Sequence, residues 1–384
     1  MIRDLSAELE ILEQLVRFPT VSHRSNTDLI EYISALLNRQ KVSFHLVPDA
    51  SGNKLGLIAH IGPQVDGGVL LSGHTDVVPV EGQNWASDPW TLTCRGGDYY
   101  GRGTCDMKGF LALVLAAVPQ MAAAPLVRPI QFAFSFDEEI GCLGTQPILQ
   151  ALQDHLPRAS SVIVGEPSMM GLVTGHKGGL GLTTTITGKA AHSSRPDLGV
   201  SAIEAAATLI QWHKDETTKH AARTSPNGFT PPYSTAQVGT IHGGIALNTI
   251  PETCVLESDI RFVPPETGAD WVARYQNIVQ VAQSAMKAQH GDAHIVVEVP
   301  ENIPALNPEP QGTAAQLVRG LTGDNDDRFV SYQTEAGHFQ ATGYSTVICG
   351  PGSIEQAHGP DEFISAKQLQ QGQTFLTRLI QTLC

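Results

Sequence analysis

Cysteine is scarce in this chain and never clustered. Six thiols, Cys94, Cys105, Cys142, Cys254, Cys349 and Cys384, are scattered over 384 residues with no C-x-x-C pair. That usage argues against a disulfide framework and against a cysteine-built zinc site. Basic residues are also in the minority: 24 Lys and Arg face 38 Asp and Glu, a formal net charge of −14. No Lys- or Arg-rich block occurs, so the electrostatic footprint of a nucleic-acid binder is missing. An acidic surface promotes solubility and says little about fold. The sequence opens MIRDLSAELEILEQLVRF, an acidic amphipathic helix that lacks the basic start and apolar core of a secretory signal. No uninterrupted apolar run reaches the roughly 20 residues of a membrane span. The expectation is a cytoplasmic protein with neither nucleic acid nor membrane as a partner.

Several catalytic signatures are absent too. No G-x-G-x-x-G opens a helix, no Walker loop occurs and no His-Glu-x-x-His helix is present, which removes the dinucleotide, P-loop and zincin readings. Ser353 in GPGSIEQ lacks the second glycine of a nucleophile elbow, which opposes a serine hydrolase. That segment reads as a tight loop.

What is present is an α/β pattern. At roughly 150 residues per domain the length suggests two or three domains. VLLSGH, IQFAFSF and SVIVGE read as buried strands, as does the later STVICGPG, and KGFLALVLAAVPQM reads as an apolar helix between the first two. Buried strands alternating with helices predict a mostly parallel sheet. From 178 to 299 the pattern changes to strand LGLTTTITG, helix GVSAIEAAATLIQWHKDE, strands TAQVGTIHGG and CVLESDIRFV, helix DWVARYQNIVQVAQSAMKAQ and strand AHIVVEV. That β-α-β-β-α-β order predicts a ferredoxin-like α+β insertion. The expected division is a catalytic domain over 1–177 and 300–384, with the inserted domain over 178–299. TSPNGFTPPYST reads as a long loop inside the insertion.

The chemistry sits where the buried strands end. VLLSG is followed by His74, Thr75 and Asp76; IQFAFSF runs into Asp137, Glu138 and Glu139; SVIVG ends at Glu166. In open α/β sheets ligands bind outside these carboxyl ends. Asp106, before the apolar helix, and His358, after the last strand, add to the set. Converging carboxylates repel one another unless a cation holds them. Histidine with carboxylates suits Zn²⁺, with Co²⁺ or Mn²⁺ as alternatives. Two imidazoles and three carboxylates suffice for two ions if one carboxylate bridges. Of the adjacent Glu138 and Glu139, one can ligate while the other serves as a general base.

LSGHTDVVP, YGRGTCDMKG, FSFDEEIGCLG, VGEPS and GPGSIEQAHGPDE stand in the order found in the acetylornithine deacetylase and succinyl-diaminopimelate desuccinylase family, which the chain resembles over essentially its whole length. The resemblance implies two Zn²⁺, with Co²⁺ able to substitute. His74 and Glu166 would bind one ion, Glu139 and His358 the other, with Asp106 bridging. Asp76 would orient His74, and Glu138 would be the base. The insertion would be a lid and homodimerisation domain in which His192, from GKAAHSS, polarises the scissile carbonyl of a neighbouring site. The branch resembled is that of the acetylornithine deacetylases, through TGHKG, HSSRPDLGVSAIE, FTPPYSTAQVGTIHGG, YQTEAG and CGPGSIEQAHGPDEF. That implies hydrolysis of N-acetyl-L-ornithine in arginine biosynthesis. Desuccinylation or broader aminoacylase activity would share every metal residue, and a non-enzymatic relative should have lost one. For the substrate's ends, Lys177 and Arg261 are expected at the α-carboxylate, a task suited to the bidentate fork of Arg, with Asn248 nearby. Glu335 is expected at the distal ammonium. His338, in EAGHFQ, has no role implied by the resemblance.

Overall fold

A computed structural model describes residues 4–223 and 227–384. The first three residues of the expected N-terminal helix and Thr224–Pro226 of the long loop lie outside the described residues; the helix itself is α1 (Ser6–Arg17). The chain divides into two compact units. One comprises Met1–Gly175, Pro308–Arg328 and Thr334–Cys384; the other comprises His176–Asn307 and Phe329–Gln333.

In chain order the first unit continues with α2 (Thr27–Arg39), β1 (Ser43–Pro48), β2 (Leu55–Ile61), β3 (Val69–His74), β4 (Thr93–Arg95), β5 (Asp98–Tyr100), α3 (Gly109–Ala123), β6 (Ile130–Ser135), α4 (Thr145–His155), β7 (Ser161–Pro167) and β8 (Val173–His176). The second unit is built from β9 (Gly178–Thr187), α5 (Ala202–Arg223), β10 (Thr235–Gly243), β11 (Thr253–Phe262), α6 (Gly268–Gln289) and β12 (His294–Ile303). The chain then returns to the first through α7 (Thr313–Thr322), crosses the division within β13 (Arg328–Val330), and completes the first unit with α8 (Ala336–Ala341), β14 (Thr346–Gly350), β15 (Phe363–Ser365) and α9 (Ala366–Thr382).

The main sheet has the order β1-β2-β6-β3-β7-β14-β8-β13. Its centre, β6-β3-β7-β14, is parallel, and β1 and β2 add antiparallel strands at one side. Every residue of β3, β6, β7 and β14 is buried, which is why these strands read as unbroken apolar runs rather than alternations. α3 is apolar on all faces and packs into the same core as α1 and α9. With the turn before it, α3 gives one helical stretch, Thr104–Ala123, long and apolar enough to cross a bilayer; 72% of it is buried inside the fold, so it is a core helix. The consequence for function is geometric: β6, β3 and β7 lie side by side and end at one edge. β14 joins them so closely that a Cβ at Gly350 would stand 1.9 Å from the Gly165 carbonyl oxygen and 2.5 Å from that of Glu166. Glycine is required there to keep the end of β7 in place.

The second unit's sheet is antiparallel, in the order β10-β11-β9-β12, the ferredoxin-like arrangement. β9 alternates buried and half-buried residues, as a sheet covered on one face does. Its buried face packs with Leu209 of α5 and with Trp271 and Tyr275 of α6, and the Tyr275 hydroxyl lies 2.8 Å from Thr184 Oγ1. The unit extends past the sequence-derived limit at 299, because β12 runs to Ile303. A register irregularity between Glu298 and Glu301, at Pro300, breaks the alternation by which a strand is read.

Candidate active site

Three neighbouring parallel strands deliver side chains to one edge. His74 is the last residue of β3. The turn after β6 carries Asp137, Glu138 and Glu139, with Asp137 (φ 55°) and Cys142 (φ 55°) in the left-handed region that forces the chain around sharply. Glu166 is the penultimate residue of β7. Asp106 lies in a tight turn, Thr104–Lys108, that leads into α3. His358 follows β14 at φ 63°. Left-handed backbone at non-glycine residues is held only where the surroundings enforce it, often at functional sites.

Asp106 stands at the centre, with its two oxygens facing different partners. Oδ1 is 3.0 Å from His74 Nε2, which is itself 3.6 Å from Glu166 Oε1. Oδ2 is 3.4 Å from His358 Nε2, which is 3.1 Å from Glu139 Oε2. Donors about 2.0–2.1 Å from a tetrahedral ion lie roughly 3.3 Å from one another, and the spacings on both sides of Asp106 bracket that value. Glu139 Oε1 and Glu166 Oε1 are buried with no hydrogen-bond partner. Buried oxygens of this kind need a cation or a proton. The residues therefore fit two divalent ions sharing Asp106. Three carboxylate ligands against two such ions leave a centre of +1 before Glu138 is counted.

The electrostatics agree. Burial pushes Glu138 well above the usual carboxylate range; His74 pulls the other way, and Glu139, Asp106 and Glu335 push it further up. Burial and the nearby Asp106 raise Glu166 and Glu139 in the same direction. Burial works against a proton on His74, but Asp106, Asp76 and Glu166 outweigh it and hold its pKa well above 6.5. Hydrogen bonds to Asp106 and Glu139 lift His358 to about 10. Without metal the cluster thus keeps protons that incoming cations must displace.

Supporting contacts surround these groups. His74 Nδ1 is 2.9 Å from the backbone oxygen of Asp76 and 3.6 Å from its carboxylate. The nearer hold on His74 is therefore the Asp76 carbonyl rather than the expected carboxylate. The Asp76 side chain accepts instead from the Ser22 hydroxyl (2.7 Å) and from the backbone N–H groups of Glu138 (3.2 Å) and Glu139 (3.3 Å). It shapes the turn that carries both glutamates. The Cys142 thiol donates to Glu138 Oε1 at 3.4 Å. Lys54 pairs with Asp137 and donates to the Ser22 carbonyl.

Sequence reasoning missed Glu362. Fully buried, it accepts from the backbone N–H groups of Gly103, Cys105 and Asp106 at 2.8–3.0 Å and from Arg102 at 2.8 Å. It fixes the turn that presents Asp106. The only signal was an acidic residue inside the quoted GPGSIEQAHGPDE motif.

The second unit brings two of the expected residues together. Ser193 N–H donates to the Asn248 carbonyl at 3.0 Å, and His192 pairs with Thr249. His192 is exposed, and its Nδ1 accepts from Ser194 N–H at 3.1 Å, which places the neutral ring's proton on Nε2. Arg261 is half-exposed and holds Asp259 through Nε at 2.9 Å. Lys177 is buried and donates its ammonium to the Tyr233 carbonyl at 2.9 Å, and burial lowers its pKa to about 8. One expectation changes. Glu335 is 1% exposed, with both oxygens occupied by hydroxyl donors; it is not presented for a substrate ammonium. His338, also buried, contacts Gln146 through Nδ1 at 3.1 Å.

An α/β sheet that gathers acidic and imidazole groups able to hold metal at its strand ends meets the needs of a metal-dependent hydrolase. The model of peptidase family M20/M25/M40 matches residues 70–382, and the chain belongs to that family. Over their whole lengths, the chain is 35% identical to the acetylornithine deacetylase of Pasteurella multocida. It is 33% identical to that of Proteus mirabilis, covering 98% of this chain and 96% of that one. Among solved structures it is similar to a Staphylococcus aureus tripeptidase, with a TM-score of 0.75 and 20% identity over 100% and 99% of the two chains. It is also similar to a dinuclear metal-binding M20 peptidase of Bacillus subtilis, with a TM-score of 0.67 and 16% identity over 98% of each.

Proposed function

We propose that the protein is a dinuclear zinc amidohydrolase that converts N-acetyl-L-ornithine to L-ornithine and acetate, a step of arginine biosynthesis. The chemistry rests on one observation above all: Asp106 faces His74 and Glu166 with one oxygen and His358 and Glu139 with the other. The substrate rests on full-length relatives that carry the name acetylornithine deacetylase. Zinc suits the imidazole and carboxylate donors, and cobalt would bind the same set. Bound there, two such ions would supply a Lewis acid for the amide carbonyl and a water acidic enough to lose its proton near neutral pH.

The chain's own groups complete the reaction. Glu138 accepts the proton of the attacking water as the new carbon–oxygen bond forms. It returns that proton to the nitrogen as the carbon–nitrogen bond breaks, and the water's second proton follows, so that acetate and the ammonium form of the amine leave. The Nε2–H of His192 is the donor to the carbonyl oxygen. Arg261 and Asn248 are the groups offered to the substrate carboxylate.

Substrate preference is the direct test. Loaded protein should give a kcat/KM for N-acetyl-L-ornithine at least about tenfold above those for N-acetyl-L-methionine and N-succinyl-diaminopimelate, the lower end of the discrimination that pocket shape alone provides. A preference for either of the others would replace the substrate and leave the metal chemistry standing.

His192 acts in a homodimer in this proposal. β10 is an edge strand, and the turn after it exposes Ile245 (90%) and Leu247 fully. An unpaired edge beside exposed apolar side chains supports placing the association surface there. Light scattering should give a dimer, and Leu247→Asp should shift it to monomer with turnover lost and metal retained. A fully active monomer would contradict the cross-subunit role.

A further inference from the structure

Glu335 is a buried carboxylate that the proposed chemistry does not use. Its Oε1 accepts from Ser72 Oγ at 2.7 Å; its Oε2 accepts from Ser135 Oγ at 2.7 Å and from Thr145 Oγ1 at 3.4 Å. An ionised carboxylate only accepts, so these hydroxyls turn their protons toward it. The positions of the three donors carry the argument. Ser72 lies two residues before His74 on β3, on the same face. Ser135 is the last residue of β6 and pairs in register with His74. Thr145 is the first residue of α4. Between Ser135 and Thr145 runs the loop that carries Glu138 and Glu139. One carboxylate therefore grips the strand of one histidine and both roots of the loop that holds the base and a ligand.

We infer that Glu335 is a positioning residue of the metal centre, a clamp that sets the spacing between His74 and the Glu138–Glu139 loop. Burial raises the Glu335 carboxyl while the Ser72 and Ser135 hydrogen bonds hold it down, and a carboxyl gripped by three hydroxyls is a costly way merely to fill a core, since an apolar side chain would do so without burying a polar group. What the carboxylate adds is direction, through short charge-assisted hydrogen bonds. The inference rests on the dinuclear reading of the site.

The test compares variants by zinc titration, thermal unfolding and separate kcat and KM values. Groups that orient ligands typically contribute about 10–100-fold in metal affinity or activity. Glu335→Ala should weaken zinc binding by about that factor and lower kcat, with KM for N-acetyl-L-ornithine within about twofold of wild type. Glu335→Gln keeps an acceptor for one serine and offers the other an N–H that a hydroxyl can accept, so it should restore affinity to within about threefold. Ser135→Ala should weaken zinc binding in the same direction, and adding it to Glu335→Ala should cost little more, as expected for two halves of one contact.

A lowered melting temperature in Glu335→Ala with wild-type zinc affinity and kcat would reduce the residue to packing and overturn the inference. So would full additivity with Ser135→Ala. A selective rise in KM for N-acetyl-L-ornithine over N-acetyl-L-methionine would return Glu335 to the substrate. If Glu335→Ala does not fold, Ser72→Ala and Ser135→Ala carry the same test. Wild-type protein that takes up no zinc refutes the metal centre itself. Equal two-ion uptake by wild type and Glu335→Ala refutes only the clamp.

Discussion

Glu138→Gln protein should bind two zinc ions per chain with near wild-type affinity and hydrolyse N-acetyl-L-ornithine about 10³–10⁴-fold more slowly, the upper range for loss of general base catalysis. The substitution keeps the size and shape of the side chain and removes only its capacity to take a proton. Among the described residues Glu138 makes no ion pair with a histidine, its ligand-type neighbours His74 and Glu166 lying within 4.8 Å, whereas Glu139 lies 3.1 Å from His358. Its backbone N–H is held by Asp76 and its Oε1 by the Cys142 thiol, so the turn has no reason to collapse. Burial raises the carboxyl's proton affinity, which suits a group that must take a proton from water and give it up again within one turnover. Zinc content by elemental analysis beside steady-state rates checks this. A metallated variant with wild-type kcat would remove Glu138 from the mechanism, and a metal-free variant would make it a ligand.

The second large effect is expected at Asp106. Alanine there removes both oxygens at once, so the two halves of the centre lose a shared ligand together. Asp106→Ala should retain fewer than two zinc ions after dialysis, bind the remainder about 100-fold or more weakly, and show no turnover above background. Glu362, which holds the backbone of this turn through three N–H groups, stays in place. The fold should therefore survive, and circular dichroism should match wild type. Two ions bound at wild-type affinity would show that Asp106 does not bridge.

The sequence made some of this legible and hid the rest for physical reasons. β3, β6, β7 and β14 could be read because strands buried on both faces become continuous apolar runs ending in polar residues. The ferredoxin-like unit could be read from the alternation of β9 and β11 and its two long helices, although β10 and β12 are irregular. β1, largely exposed, and the three-residue strands β4, β5, β13 and β15 offered no such pattern. At the site, residue type and strand-end position were visible, but partners were not. Glu335 looked like a charge awaiting a substrate because nothing local betrays that Ser72 and Ser135, far away in sequence, take both its oxygens. The contact of Lys177 with the Tyr233 carbonyl, 56 residues away, was hidden in the same way. Glu362 escaped notice since Arg102 and the Asp106 turn lie more than 250 residues before it. Type and order are local information; burial and pairing belong to the fold.

The central claim is that the residues around Asp106 would hold two ions supplying the Lewis acid for amide hydrolysis, and zinc titration of chelator-stripped protein with turnover of N-acetyl-L-ornithine tests it most directly. The account predicts negligible turnover without metal and a rise that saturates at two equivalents per chain. Full turnover by protein stripped of metal would contradict it.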